Sequence, residues 1–336
     1  MAVNMETRKV QFTGNSTFTI SLPKDWAKSM GIKAGDLLVL TRADNGTLTV
    51  SPSLPSGRIA RTKEFLITKE SPVHLERMLI GAYVMGFDTI TVRAKERIDN
   101  AMKEKIRHFT RSVTGVEIVE ESMNAVVIKD LSDPLELSQE KGVRRLHLIV
   151  KSMQEDSIES LARGDSSFAI DVINRDYDAD RIYWIIMKEH NMMVKDMSLA
   201  EKLKITIDES NAYFQVARYL ERIGDHAVQI ARSVTSIGSY AIDEKLLAQF
   251  RNVHALAMKM LDGAMSAFFR RNVEEANNVI DQREKLKTAL GELSRKIQNL
   301  KGEAAIQLAL IEESVRRTAY YATDICEVSI NYCMLP

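Results

Sequence analysis

The chain has 336 residues, 46 of them Lys or Arg and 46 Asp or Glu, with 45% hydrophobic residues. This length exceeds what one hydrophobic core serves, so two or three domains are expected. A net charge of zero counts against a protein that holds nucleic acid by bulk electrostatics, while leaving room for a basic patch on one domain.

Met1–Lys9 has no apolar stretch of signal-peptide length, and no run reaches the roughly 18 apolar residues needed to span a bilayer. Cys326 and Cys333 fall on one helical stretch, which suits core residues and not a disulfide. A cytoplasmic protein, not integral to a membrane, is expected.

Residues 6–53 are strand-like. Lys9–Pro23 alternates, is rich in β-branched and aromatic residues, and has Thr13-Gly14-Asn15-Ser16 as its turn. Pro23–Met30 is one short helix stopped by Gly31, and Asp36–Leu40 with Thr47–Val50 makes a second hairpin. Ser51–Gly57, with Pro52 and Pro55, reads as a linker. The first 55 residues carry a charge of +2, residues 56–140 carry −1, and the remainder −1. So small a head buries too little surface to stand alone, which favours pairing with a second copy. Its strands suit the major groove as a two-stranded ribbon.

From residue 58 the period switches repeatedly. Lys63–Thr68 is a strand, Pro72–Met85 a helix, Thr89–Ala94 a strand and Ile98–Val113 a helix, with Val116–Glu120 and Ala125–Lys129 as a closing hairpin. This βαβαββ order predicts a small α+β domain. Lys103, Arg107 and Arg111 share one helix face, expected to be solvated or to meet DNA or a partner.

Beyond Asp133 the pattern is helical to the end. Breaks near Gly164-Asp165, Met192–Ser198, Ser236–Tyr240, Arg270–Asn272 and Leu300–Gly302 predict six helices in an antiparallel bundle. A shift of 107 pairs Arg144 with Arg251, His147 with His254, Met153 with Met260 and Ala169 with Ala276. A shift of 99 pairs Arg218 with Arg317 and Asp225 with Asp324. The bundle is therefore read as two copies of a three-helix unit, with packing explaining the paired histidines.

In the first copy, Asp176 and Asp180 stand four apart on the second helix, and Glu221 and Asp225 four apart on the third. Each pair projects two carboxylates from one face. Converging carboxylates repel unless a proton or cation relieves them, and hard oxygen ligands suit divalent or iron-type ions. The alternative is ordinary helix-surface pairing with Arg175, Arg181, Arg218 and Arg222. In the second copy Arg283, Lys287 and Tyr320 replace Asp176, Asp180 and Glu221, so at most one metal site is expected. Arg283, Lys287 and Arg317 would instead form a solvated basic face or an anion patch.

Catalysis finds little support. His226 beside Asp225 points about 100° away from it, and there is no phosphate-cradling glycine loop, nucleophile elbow or Cys–His arrangement. The chain is not expected to be an enzyme.

Ala217-Arg218-Tyr219-Leu220-Glu221-Arg222-Ile223-Gly224-Asp225-His226-Ala227 resembles the signature of PhoU-type phosphate-uptake regulators. Asp176-Tyr177-Asp178-Ala179-Asp180 resembles the partner motif of that family, and Gly164-Asp165 the turn before it. The resemblance covers roughly residues 138–332 and implies acidic motifs that bind metal, and restraint of a phosphate transporter directly or through a sensor kinase. Arg8-Lys9-Val10, Gly14, Leu22-Pro23-Lys24, Met30-Gly31-Ile32 and Gly35-Asp36 resemble the SpoVT/AbrB swapped-hairpin domain, which dimerises by strand exchange and usually binds DNA. Asn15 stands where an arginine is common.

The expectation is therefore multidomain. An all-β swapped-hairpin domain (1–55) precedes a small α+β domain (56–135) and an all-α bundle of two PhoU-like repeats (136–236 and 237–336). The order resembles archaeal fusion regulators. The function expected is a homodimeric, phosphate-responsive transcription regulator. DNA would be contacted by Arg8, Lys9, Asn15, Ser16, Thr17, Lys24 and Lys28, and a metal held by Asp176, Asp180, Glu221 and Asp225. The alternative is an adaptor that docks the transporter or its sensor kinase and uses the hairpins only to dimerise.

Overall fold

The computed structural model describes residues 6–14, 16–42, 46–51, 60–68, 71–136, 138–238 and 240–335. The chain divides into two units, Met1–Ile59 and Ala60–Pro336. In the first, β1 (Gln11–Thr13) and β2 (Thr17–Thr19) pair antiparallel with Phe12 opposite Phe18. Their rings meet edge to face at 5.1 Å, the cross-strand contact that stabilises so short a ribbon. Helix α1 (Lys24–Ser29) is closed by Gly31, whose φ of +69° lets the Ile32 amide reach back to the Ala27 carbonyl at 2.9 Å.

The second hairpin, β3 (Val39–Arg42) with β4 (Leu48–Ser51), starts later than expected. Asp36 is not a strand residue, because its carboxylate accepts from the Lys33 amide at 2.7 Å and holds a turn. Ser51, expected to open a linker, pairs with Val39. The remainder of that linker, from Pro52, lies outside the described residues.

The second unit begins with the expected βαβαββ layer: β5 (Thr62–Ile67), α2 (Pro72–Val84), β6 (Thr89–Ala94), α3 (Asn100–Ser112), β7 (Val116–Glu121) and β8 (Ala125–Asp130). The sheet order is β5-β6-β8-β7, with β5 and β6 parallel and the other pairs antiparallel. Leu75, Leu79, Tyr83 and Phe109 from the helices cover Ile90, Val92, Val126 and Ile128 from the strands. Ser71 caps α2 and Asp99 caps α3, so Ile98, expected to start that helix, is a buried residue ahead of it. Gly115 is required where it stands: its φ is +78°, and a Cβ there would lie 2.6 Å from Ser132 Cβ.

The bundle follows as α4 (Gln139–Arg163), α5 (Ser166–Lys195), α6 (Met197–Leu203), α7 (Ile207–Ile237), α8 (Glu244–Arg270), α9 (Val273–Asp281), α10 (Arg283–Ile297) and α11 (Glu303–Cys333). Eight helices therefore stand among the described residues where six were expected. The added α6 forms inside the long connection of the first copy, capped by Asp196. The other division is at Gln282, whose amide reaches Val279 O at 3.1 Å in a tightened turn. The three-helix units remain evident: α4–α5–α7 and α8–(α9, α10)–α11, with α7 and α11 packed together. Gln154 joins α4 to both, donating to Ile223 O at 2.7 Å and to Thr318 Oγ1 at 3.0 Å.

Helix α5 serves the α+β layer as well as the bundle. Its Lys188 forms a buried ion pair with Asp130 of β8, donates to Ser132 Oγ at 2.9 Å and lies over the Tyr83 ring. Asn191 and Lys195 donate to the Val84 and Met85 carbonyls at the C-terminal end of α2, at 2.9 and 2.8 Å. Tyr177 meets His108 of α3, which also pairs with Glu76 of α2. No helix among the described residues is long and apolar enough to cross a membrane.

Candidate functional sites: paired carboxylates and a basic hairpin head

The acidic residues are placed by two well-capped helices. Gly164 in the left-handed region ends α4, and Asp165 caps α5 by accepting from the Ser167 amide at 2.8 Å. Thr206 and Glu209 form a reciprocal capping box that starts α7. Both helices bury the apolar positions flanking the acids, Val172, Ala179 and Ile182 on α5 and Ile223, Gly224 and Ala227 on α7. The carboxylates are thereby left half-buried at the α5–α7 contact.

Their electrostatics show that the two pairs act on one another. Asp180 is pushed up to about 7, first by burial and then by Asp176, Glu221 and Asp225. Glu221 is also pushed up to about 7, by burial and by Asp225 and Asp176, against the pull of Arg222 and Arg218. Burial and Asp225 raise Asp176. All four predicted residues thus share one field. They do not form a ready ligand set: no three His, Cys, Asp or Glu side chains among the described residues are gathered to hold a metal. Arg222 takes the cation's place in part, 3.5 Å from Glu221 and 3.2 Å from Asp225. Arg175, an expected partner, is drawn instead to Asp156 and Asp171.

Asp176, Asp180, Glu221 and Asp225 are the residues that would hold a cation, which would relieve their mutual repulsion. The donor set, all carboxylate oxygen, suits a hard ion. His226 is not part of it: it lies 5.9 Å from the Tyr321 ring, and burial lowers its affinity for a proton.

The second copy is closed by its own side chains. Arg283 lies over the Tyr320 ring at 4.9 Å and offsets the burial that raises Asp324. Arg317 is engaged by Glu313 at 2.8 Å and Lys287 is highly exposed beside Glu284, as on a solvated basic face. The basic face of α3 is partly neutralised too, with Glu121 2.7 Å from Lys103 and 3.4 Å from Arg107.

In the head, Lys9, Ser16, Thr17, Lys24 and Lys28 are exposed, and Arg8 pairs with Glu6. Asn15 lies outside the described residues. Not one described head residue is buried, and Phe18 and Leu37 are 74% and 90% exposed.

The sequence reading missed the clasp of Lys188 with Asp130. The signal was present: Lys188 directly follows the apolar run Ile182–Met187 on a helix whose pattern remains that of a buried element to Met193.

A family model for the PhoU domain matches residues 143–234 and 250–329, just over half of the chain. A model for the antidote-toxin recognition domain MazE, a bacterial antitoxin, matches residues 11–57. The phosphate-specific transport system accessory protein PhoU homolog 1 of Thermotoga maritima is 25% identical over 201 residues, 55% of this chain and 81% of that protein. The corresponding homolog of Rhizobium meliloti is 24% identical over 188 residues, 53% of this chain and 77% of that one. Among solved structures, PhoU from Pseudomonas aeruginosa superposes with a TM-score of 0.52 at 18% identity, covering 59% of this chain and 95% of that one. The phosphate transport system regulatory protein PhoU from Streptococcus pneumoniae gives 0.50 at 20% identity, covering 57% and 91%. These two bear on the fold of the bundle. With its three-helix copies, its paired carboxylates and these matches together, the chain belongs to the PhoU family and carries a MazE/AbrB-like domain at its N-terminus.

Proposed function

We propose that the protein is a dimeric, phosphate-responsive transcription regulator of phosphate uptake that acts in the cytoplasm by binding and not by catalysis. Its heads pair with those of a second copy and contact promoter DNA, and the α5–α7 carboxylates take a divalent or iron-type cation linked to phosphate status. The observation that carries the reading is the unburied head. Phe12, Phe18, Leu37 and Leu40 are each more than half exposed beside Lys9, Lys24 and Lys28. A second copy would cover the apolar side chains and double the cationic ones. The names of the relatives, accessory proteins of phosphate-specific transport, supply the phosphate link.

An adaptor reading, in which the bundle docks the transporter or a sensor kinase and the heads only dimerise, draws on the pairing of Arg8 with Glu6, which withdraws one cation from phosphate contact. Duplex-DNA binding measured across salt separates the two. Affinity that falls steeply with salt and drops on Arg8→Ala/Lys9→Ala supports the regulator. Absence of binding at low salt leaves the adaptor.

A further inference from the structure

A cavity of about 320 Å³ lies at the end of the bundle where the starts of α4 and α7, the last turns of α5 and the end of α8 meet. It lies roughly two and a half turns (~13 Å) along α5 from Asp180 and is separate from the paired carboxylates. Most of its charged wall is already satisfied. Arg271 is engaged by Glu209 and by the Tyr332 hydroxyl, and Glu140 is paired with Arg144 at 2.8 Å.

Two buried acceptors on its wall have less than a full set of donors. Glu189 is 2% exposed, and the adjacent Lys188, whose charge reaches it, is shared with Asp130. Gln139 is 5% exposed; its Nε2 donates to Ile186 O at 3.2 Å, but its Oε1 is buried without a partner. A buried carboxylate and a buried amide oxygen on one cavity wall are both costly unless a donor meets them.

We propose that this cavity binds a small organic cation, a primary ammonium or amidinium. Its charge would lie against Glu189, with Gln139 Oε1 as second acceptor and its hydrocarbon part along Met193 and Tyr213. With Glu140 paired to Arg144, Glu209 to Arg271 and Lys204 exposed to solvent, Glu189 is the lining carboxylate left for a ligand's positive charge. A metal ion is a poorer fit, since the acceptors at hand are one carboxylate and one amide oxygen. The wall is also shaped at a conformational cost. Lys204 and Arg271, the two non-glycine residues with left-handed backbone among those described, both line it, with φ of 54° and 50°. Burial pushes Glu189 up to about 8 against the pull of the adjacent Lys188, so a further positive charge at the cavity would be taken up favourably.

The test titrates the full-length protein with putrescine, agmatine and butylammonium by calorimetry, alongside NMR of ¹³C-methyl methionine. Saturable binding is expected, weakened at least tenfold by Glu189→Gln, with the Met193 methyl resonance shifting and that of Met102, in the α+β core, unmoved. Glu189→Gln keeps the side-chain shape and removes a buried charge; should it fail to fold, the wild-type methyl shifts still decide the question. No saturable binding by any of the three amines overturns the proposal. So does unchanged affinity in a folded Glu189→Gln, a shift that spares Met193, or displacement of the amine by stoichiometric Mg²⁺.

Discussion

Lys188 of α5 and Asp130 of β8 form an ion pair in which both side chains are almost wholly buried, fastening the α+β layer to the helix that carries Asp176 and Asp180. A buried pair of this kind adds little over an apolar one, but breaking it strands a charge. Asp130→Ala is therefore expected to cost about 3–5 kcal/mol in denaturant unfolding. Lys188→Met combined with Asp130→Leu should recover most of that loss. A loss below about 1 kcal/mol for the single variant would show that water reaches the pair.

The paired carboxylates predict a pH-dependent stability of definite sign. Asp180 and Glu221 are pushed up to about 7, above their ordinary values of 3.8 and 4.5. The folded state holds their protons more tightly than the unfolded chain does. Stability is therefore lost as pH rises from about 4 through 7. Asp180→Asn should flatten that slope and stabilise the protein at pH 8, by on the order of 1 kcal/mol once solvent screening at these half-buried groups is allowed for. Thermal melts between pH 5 and 8 check it, and a steeper slope in the variant contradicts it.

The same repulsion predicts the response to cations. At pH 8, Mn²⁺ or Mg²⁺ should raise the Tm of the wild-type protein, because an ion bound to the folded state alone stabilises it by mass action. Chelator should reverse the gain. Asp225→Ala and Asp180→Asn should each lose most of it, whereas Asp324→Ala, in the copy closed by Arg283, should keep it. Equal responses in all of these proteins would remove the site from α5 and α7.

For the head, Leu37→Asp and Phe18→Ser replace exposed apolar side chains that a second copy would cover. Sedimentation should show a shift from dimer towards monomer at micromolar concentration. An unchanged dimer would place the interface elsewhere.

Gly115→Ala is predicted to destabilise the α+β layer by roughly 1–3 kcal/mol, since it adds left-handed strain and a clash with Ser132. Ser132→Gly removes the clashing Cβ but also the hydroxyl that accepts from Lys188, so the double variant is compared with Ser132→Gly alone, where adding Gly115→Ala should cost less than it does in the wild-type background. No further loss on that background would mean that the φ of +78° carries no cost.

Local pattern was enough to determine the element types along most of this chain. Alternation marked the hairpins, and three- and four-residue spacing marked the helices. Spacing also placed Asp176 with Asp180, and Glu221 with Asp225, on common helix faces, because the helical repeat makes that a property of a single segment. The shift of 107 residues that pairs His147 with His254 was likewise visible in the residues themselves. What a segment cannot encode alone is which face meets which neighbour. Only the packed structure decided that the two acid pairs share a field, that Arg222 partly answers it, and that Arg317 is engaged by Glu313. It also decided the break at Gln282, where the turn tightens between helix-forming residues. The clasp of Lys188 on Asp130 and the cavity at Glu189 join residues more than fifty positions apart in the chain. Their energies come from burial and from the charges that burial leaves to be paired, and burial is set by the whole fold.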